Sequence, residues 1–512
     1  MTRVVEKSGV KYTFILIGLI IFVLMVSFLD LVPENRNVTI TAATAVIMAF
    51  WWVTEALPIG LTSLLPIILF PAFGVMDGKS ISNAYINYVI FLFIGGFFMA
   101  LAIEKWDLHK RIALKILSYL GGSPFKILAG FMLASAFLSM WMSNTATAMM
   151  MLPIAFSVTT ALEAIHGNKK LGKFPTAILL AVAYACSIGG VATLVGTPPN
   201  LSLVRIFEII YPNAPQITFG QWFIFAFPFS IIMLVLVLLL LFFMFPVNKD
   251  IEVMNKSFFK EKYKELGSIT IEQKRVFVLF ILLVFMWVFS HDITVGNFTI
   301  PGWSSLFKNP QFINDGTIAI FISLLLFIVP SSNKKEGLIT WEIIPKIPWG
   351  IVFLFGGGFA LANGFIESGL SKYVGEKLVA AGNLGDVNLL IVVSSLITSL
   401  TEFTSNTATT EMMLPIVSGL ANQIQINPLF LMIPVALSAS MAFMFPVATP
   451  PNAIVFGTGK LKIMDMVKAG IFVNILGVIL IVIFMYFWGT IVFDIDINAV
   501  PSWIDAIPLI KQ

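Results

Sequence analysis

Long apolar runs follow one another from end to end of this chain, at about 12–32, 39–57, 59–76, 88–103, 175–210, 221–245, 276–290, 316–330, 350–366, 429–457 and 469–493. A helix needs about 20 predominantly apolar residues to cross the hydrocarbon of a bilayer, so these runs read as membrane helices. The weakly alternating segments of an outer-membrane barrel are absent from the sequence. Two further apolar segments, about 127–163 and 387–423, are interrupted in the middle by the same polar motif, Ser143-Asn144-Thr145 in one and Ser405-Asn406-Thr407 in the other. The pattern predicts an all-α polytopic membrane protein.

Lysine and arginine orient the runs, because cytoplasmic loops carry the excess. The first run follows Arg3, Lys7 and Lys11, is too long for a signal-peptide core and lacks a small-residue cleavage site. It reads as a first membrane helix with a cytoplasmic N-terminus. Lys105, Lys110, Arg111, Lys115 and Lys126 precede the segment 127–163, and Lys169, Lys170 and Lys173 follow it. Both flanks therefore read as cytoplasmic, and the segment must go in and come back, as two short crossings or, favoured by arms of about 16 residues, as a re-entrant hairpin. The flanks of 387–423 fit the outer side, whereas the loop 246–275, with seven Lys or Arg, is cytoplasmic. The count closes at about 11 transmembrane helices plus two hairpins from opposite faces, with an external C-terminus bearing Asp494 and Asp496.

Composition narrows the class. Of 512 residues, 58% are hydrophobic and 11% charged, against about 25% charged in a soluble domain. Such a chain cannot clothe a globular surface with polar groups, which excludes a soluble enzyme, a disordered protein and a nucleic-acid binder with a basic face. The net charge of +4 reflects loop lysines. Cys186 is the single cysteine, so no intrachain disulfide forms, and it reads as a small buried hydrophobe. His109, His166 and His291 stand apart, without the spacing of a zinc site.

The chain is internally repeated. Phe91-Leu92-Phe93-Ile94-Gly95-Gly96-Phe97 recurs as Phe353-Leu354-Phe355-Gly356-Gly357-Gly358-Phe359, and ten of the twelve residues 143–154 are identical to 405–416. Thr197-Pro198-Pro199-Asn200 recurs as Thr449-Pro450-Pro451-Asn452. With hairpins entering from opposite faces, this is an inverted repeat, the mark of secondary transporters with broken helices near the midplane.

Polar, turn-prone residues in mid-membrane are costly, because an unpaired backbone group there costs several kcal/mol. Ser-Asn-Thr is expected to turn the chain at each hairpin tip. The arm after the turn offers free N–H groups and a positive dipole end to a carboxylate; the arm before it ends in carbonyls suited to a small cation. The Thr-Pro-Pro-Asn motifs are expected to split 175–210 and 429–457 into half-helices, since proline removes N–H donors, and to leave the Gly196 and Ala448 carbonyls open to an ion. Small residues and Ser/Thr also line ordinary helix contacts, but repetition with inverted topology speaks for a site. No Lys or Arg lies in these motifs. Glu411 stands where the first repeat has Met149 and is open to a functional or a packing role, and Glu55 and Glu402 are further intramembrane acids, each open to a structural or an interfacial role. No nucleophile–base pair or metal cluster accompanies the motifs, so an enzyme is not expected.

At the two Ser-Asn-Thr motifs, the two Thr-Pro-Pro motifs and Trp51-Trp52-Val53-Thr54-Glu55-Ala56-Leu57-Pro58, the chain resembles the divalent anion/sodium symporter family, the INDY-type dicarboxylate transporters, over roughly 40–490. The resemblance implies a homodimer in the bacterial cytoplasmic membrane with an elevator-type mechanism. It implies a scaffold from 1–104 and 276–366 and a transport domain from 127–245 and 387–493. The remaining parts are a cytoplasmic arm 105–126, a cytoplasmic linker 246–275, an outer arm 367–386 and an external tail 494–512. Substrate-binding positions carried over are Ser143, Asn144, Thr145, Thr197, Pro198, Ser405, Asn406, Thr407, Thr449 and Pro450. Sodium positions are Ser139, Ser143, Asn144, Gly196, Thr401, Thr404, Asn406 and Ala448, some through backbone carbonyls. The implied cargo is a C4–C5 dicarboxylate (succinate, malate, fumarate, 2-oxoglutarate), with citrate, sulfate or another oxyanion as the alternative. No cofactor is expected beyond Na+ as a coupling ion, and partners are the anion, membrane lipid and a second copy, not nucleic acid. The family holds sodium symporters and sodium-independent exchangers; the Lys-, Ile-, Asn- and Phe-rich usage tilts the reading slightly toward an exchanger of the lactic-acid-bacterial kind.

Overall fold

The computed structural model describes residues 11–120, 122–166, 171–246, 256–295, 298–333, 335–497 and 499–504. Arg3, Lys7, Lys169, Lys170, part of the 246–275 linker and the end of the 494–512 tail lie outside the described residues. Apart from a small antiparallel pair, Ile293–Val295 with Phe298–Ile300, the regular structure described is helical. Seven described helices are long and apolar enough to cross a membrane: Arg36–Thr54, Gly78–Lys105, Asn144–Ala164, Phe174–Val191, Phe219–Met244, Trp349–Ser368 and Ile463–Val492. Further apolar helices of 10–17 residues include Tyr12–Phe28, Pro124–Ser139, Asp315–Ile328, Asp386–Thr401 and Leu429–Ala439.

Prolines and short polar side chains set the helix starts. Pro124, Pro175, Pro198 and Pro450 stand in the first turn of their helices, where the missing N–H is not needed. Ser123, Asn87 and Thr218 cap their helices by accepting backbone N–H groups of Lys126, Val89 and Gln221.

Both interrupted segments fold as helix pairs. Pro124–Ser139 and Asn144–His166 pack on the same helix, Phe174–Val191, and Asp386–Thr401 and Asn406–Gln423 both pack on Leu429–Ala439. The chain therefore doubles back at each interruption. The two expected broken helices are present, as Phe174–Val191 with Pro198–Ile210 and as Leu429–Ala439 with Pro450–Phe456. Their first halves form the centre of the molecule: every residue of 429–439 is buried, and every residue of 174–191 except Pro175. Their second halves cross over. Pro198–Ile210 packs on the second repeat (Asn406–Gln423 and Leu429–Ala439), and Pro450–Phe456 packs on the first (Asn144–His166 and Phe174–Val191). That reciprocity gives the sequence repeat its physical form.

The outer helices pack on one another through small residues. Trp349–Ser368 runs along Asn406–Gln423 and Pro198–Ile210 on one side and Arg36–Thr54 on the other. A Cβ on Gly95 would sit 2.5 Å from Ala319 Cβ, and one on Gly357 would sit 2.4 Å from the Ser63 carbonyl. Such close approach is how helices associate where lipid tails are as apolar as leucine. Peripheral segments hold short amphipathic helices, Leu108–Leu120, Lys256–Glu265 and Leu370–Leu378. Part of the C-terminal tail folds back, with Trp503 packed edge-on against Phe207 and Tyr211.

One tight approach at the centre is testable. A Cβ on Gly189 would lie 2.3 Å from the Ala136 carbonyl oxygen, whereas one on Gly350 meets nothing within 4 Å. Gly189→Leu is expected to lower the thermal midpoint measured on purified protein, at the upper end of the ~1–3 kcal/mol that overpacking costs. Gly350→Ala is expected to leave the midpoint unchanged.

Candidate functional site

The turns fall slightly upstream of where the motifs were expected to make them. The chain turns over Met140–Ser143 and Glu402–Ser405, and Asn144 and Asn406 already begin the outgoing helices. Each Ser-Asn-Thr is thus a helix N-terminus rather than a hairpin tip. Ser143 Oγ accepts the Ala146 N–H at 3.2 Å, and its carbonyl accepts Thr147 N–H at 3.0 Å. In the second copy the Ser405 carbonyl accepts Thr409 N–H at 2.9 Å, but its hydroxyl makes no cap bond. Ser143, Asn144, Thr145, Ser405 and Asn406 are half-buried, Thr407 is buried, and most surrounding helix is closed off. First-turn N–H groups and the positive end of the helix dipole at a half-open position can hold an anion without a fixed positive charge.

Oxygen atoms collect beside each N-terminus. Ser139 Oγ donates to Asn144 Oδ1 at 2.5 Å. A Cβ on Gly190 would stand 2.6 Å from Asn144 Oδ1 and 2.9 Å from the Gly196 carbonyl oxygen, so these groups converge on the break of the first broken helix. In the second half Thr401 Oγ1 lies 2.7 Å from both Asn406 Oδ1 and the Ala439 carbonyl oxygen. Hydroxyl, amide and backbone oxygens are hard, neutral donors, the chemistry a small cation needs. Thr404 does not join its set: its hydroxyl is 2.8 Å from the Leu400 carbonyl and 2.5 Å from Thr409 Oγ1. Ala448 lies in the second break, with its N–H donated to Phe445 O at 3.2 Å.

The Thr-Pro-Pro-Asn motifs begin the second half-helices instead of lying in the gaps. The gaps are residues 192–197 and 440–449, with Pro198 and Pro450 as the first helical residues. Thr197 and Thr449 are the caps. Thr449 Oγ1 accepts Asn452 N–H at 3.4 Å, while the buried Thr197 makes no side-chain cap bond. The motif asparagines carry a role that the sequence reading left unassigned. Asn200 Nδ2 donates to the carbonyls of Val191 (3.1 Å) and Thr193 (2.7 Å), and Asn452 Nδ2 donates to those of Ala442 and Phe445, both at 3.1 Å. Each amide spans a gap and satisfies carbonyls that the break strands. In both, Oδ1 is buried without a hydrogen-bond partner. Thr193 was also missed; its hydroxyl donates to the Met140 carbonyl and accepts Gly196 N–H, tying the first gap to the first turn.

The three acids separate. Glu55 is no acid in mid-helix: it is exposed and ends Arg36–Thr54 in the left-handed region, φ 48°. Glu402 is buried at the second turn, where its carboxylate accepts the N–H groups of Phe443 (2.8 Å), Met444 (3.0 Å) and Phe445 (3.2 Å) and the Asn474 amide at 2.6 Å. It collects the donors that the second gap strands. Glu411 is fully buried, with Oε1 accepting from Ser202 Oγ at 3.1 Å, and packs so closely on Gly358 that a Cβ there would be 2.2 Å from its carboxyl carbon. A cavity of about 580 Å³ lies between Asp386–Thr401 and Ile463–Phe484; it reaches Glu402 and Asn474 but is not lined by Ser405, Asn406 or Thr407.

A helical membrane protein with duplicated, crossed broken helices and anion- and cation-compatible ends at its centre has the build of a transporter. The chain belongs to the divalent anion/sodium symporter family: the family model described as sodium:sulfate symporter transmembrane region matches residues 7–495. The sodium-dependent dicarboxylate transporter SdcS of Staphylococcus saprophyticus is 41% identical over 495 residues, 94% of this chain and 92% of that one. Among solved structures, the Alcanivorax borkumensis YdaH transporter aligns with a TM-score of 0.56 at 14% identity, covering 88% of this chain and 99% of its own. Neisseria gonorrhoeae MtrF aligns at 0.53 and 12% identity, covering 91% and 96%. At those identities the likeness concerns the fold.

The gap-spanning amides predict a stability effect separate from any ligand. Asn200→Ala and Asn452→Ala each strand two buried carbonyls, and each is expected to destabilise the purified protein by about 1–3 kcal/mol. Thermal unfolding in detergent checks this; Asn388→Ala, whose amide reaches only one carbonyl in an exposed bond, is expected to change little.

Proposed function

We propose that the protein is a secondary active transporter that moves C4–C5 dicarboxylates such as succinate, malate, fumarate and 2-oxoglutarate, coupled to sodium. The observation that carries this reading is the paired arrangement at the centre: a half-open helix N-terminus beside an amide oxygen, once at Asn144 and again at Asn406. The N–H groups at Ser143-Asn144-Thr145 and Ser405-Asn406-Thr407 take the substrate carboxylates, with Thr197, Pro198, Thr449 and Pro450 flanking them. The oxygens of Ser139, Asn144, Gly196, Thr401 and Asn406 hold sodium. The printed name of SdcS, a sodium-dependent dicarboxylate transporter at 41% identity, favours sodium coupling over the exchange to which residue usage alone leaned.

Alternating access follows in this reading from inverted repeats that move as one body past a scaffold in a homodimer. The two halves are unequally seated, which supports such movement. Trp349–Ser368 packs along Asn406–Gln423, but its repeat partner Tyr88–Lys105 has no comparable seam with Asn144–His166. At corresponding positions Glu411 is fully buried and Met149 is 61% exposed. The family model's description names sulfate, so a tetrahedral oxyanion is the second reading.

Uptake of labelled succinate into liposomes tests the proposal. Uptake into empty vesicles is expected to require an inward sodium gradient and to be competed by malate and fumarate more than by sulfate. Asn144→Ala and Asn406→Ala are each expected to weaken apparent sodium affinity by about 10- to 100-fold, through the loss of one oxygen ligand of the ion, while the protein stays monodisperse. Sodium-independent uptake that needs internal dicarboxylate would establish exchange instead. Unchanged sodium dependence in both variants would overturn the assignment of these oxygens.

A further inference from the structure

The arm Leu108–Leu120 and the linker helix Lys256–Glu265 pack together at the periphery, and between them lies a cavity of about 260 Å³ lined by Lys115, Ser118, Tyr119, Lys260, Tyr263 and Lys264. Three lysines line it, and among the described residues no carboxylate does. The one described ion pair on the linker helix, Lys262 to Glu265 at 2.8 Å, lies outside the lining. Lys115 is held in place, with its ammonium over the rings of Tyr119 (5.0 Å) and Tyr263 (5.1 Å). Arg111 is already committed. It donates to Gln273 Oε1 at 2.9 Å and to the carbonyls of Leu266, Gly267 and Ser268, and so pins the linker to the arm beneath the cavity. A preformed recess with a hydroxyl and three lysines that make no ion pair among the described residues attracts a compact, multiply oxygenated anion.

The surroundings narrow that anion to one attached to a hydrocarbon chain. Tyr119 is 67% exposed at the end of the arm, and the chain passes within a few residues into the apolar helix Pro124–Ser139. There Phe125 packs edge-on against Phe242, next to Phe243, which is 74% exposed. Amphipathic aromatics beside lysines mark the level of lipid headgroups, and the lysine-rich side of a membrane protein faces the anionic leaflet. We propose that this cavity binds the phosphodiester headgroup of an anionic glycerophospholipid, with Lys115, Lys260 and Lys264 contacting the phosphate and the acyl chains lying along the exposed aromatics. The site joins the linker between the two repeats to the arm of the first. Its occupancy therefore bears on how firmly the two are clamped, and it stands whatever anion the central site carries.

Native mass spectrometry of the delipidated full-length protein provides the test, with phosphatidylglycerol, phosphatidylcholine and inorganic phosphate as probes. Phosphatidylglycerol is expected to bind at least tenfold more tightly than phosphatidylcholine. The Lys260→Ala/Lys264→Ala double variant, whose changes lie on a peripheral helix, is expected to lose about tenfold of that preference, in keeping with two basic contacts at a membrane surface. Lys260→Arg/Lys264→Arg is expected to retain it. Equal binding of the two lipids, or an unchanged preference in the alanine variant, would overturn the site. Displacement of phosphatidylglycerol by inorganic phosphate at matched concentration would reassign the recess to a soluble anion and overturn the lipid assignment.

Discussion

Everything at the centre of this protein answers one constraint: a backbone that leaves the helix inside a membrane must find partners for its polar groups within the protein. Two helices are broken at the most buried part of the structure, and each break strands carbonyls on one side and N–H groups on the other. Asn200 and Asn452 reach back across the gaps to the carbonyls, and Glu402 gathers three consecutive N–H groups. These side chains turn a costly irregularity into a fixed polar shell. Beside that shell the helix N-termini at Asn144 and Asn406 stay half-open, and Oδ1 of Asn200 and of Asn452 is buried without a hydrogen-bond partner.

The repeats solve the same problem by different means. In the first, Thr193 ties the short gap to the Met140 carbonyl. In the second the gap is longer, residues 440–449, and strands more donors; there the position matching Met140 is Glu402. A carboxylate has acceptor capacity for three N–H groups and the Asn474 amide, which no neutral side chain of that size offers. The acid is thus explained by the length of the gap, and its nearness to a candidate ion site needs no separate cause.

Much of this was legible in the sequence. Apolar run length located the helices, the 143–154 and 405–416 identity located the paired N-termini, and the prolines located the broken helices. The sequence missed what depends on a few ångströms. Whether Ser-Asn-Thr makes the turn or follows it shifts by one to three residues, because serine caps a helix as readily as it enters a turn. The asparagines were visible as the fourth residue of each repeated motif, but their reach to carbonyls seven to ten residues away requires the fold. Glu55 looked intramembrane because it lies in the apolar run 39–57, whereas the helix ends at Thr54 and Glu55 stands exposed in the left-handed region.

The charge arithmetic at the centre bears on the choice between coupling and exchange. A helix N-terminus contributes roughly half a positive charge, so the two N-termini at Asn144 and Asn406 together supply about one. No Lys or Arg stands in either motif to add to it. A dicarboxylate dianion brings two negative charges, and the imbalance of about one remains in a region where burying an unpaired charge costs several kcal/mol. In the proposed site, one cation bound beside an amide oxygen offsets that imbalance, and its departure restores it. On that reading, anion and cation binding become mutually dependent through electrostatics. An exchanger built on the same ends would have to draw the missing charge from elsewhere. The acids nearest the site, Glu402 and Glu411, have the wrong sign for that.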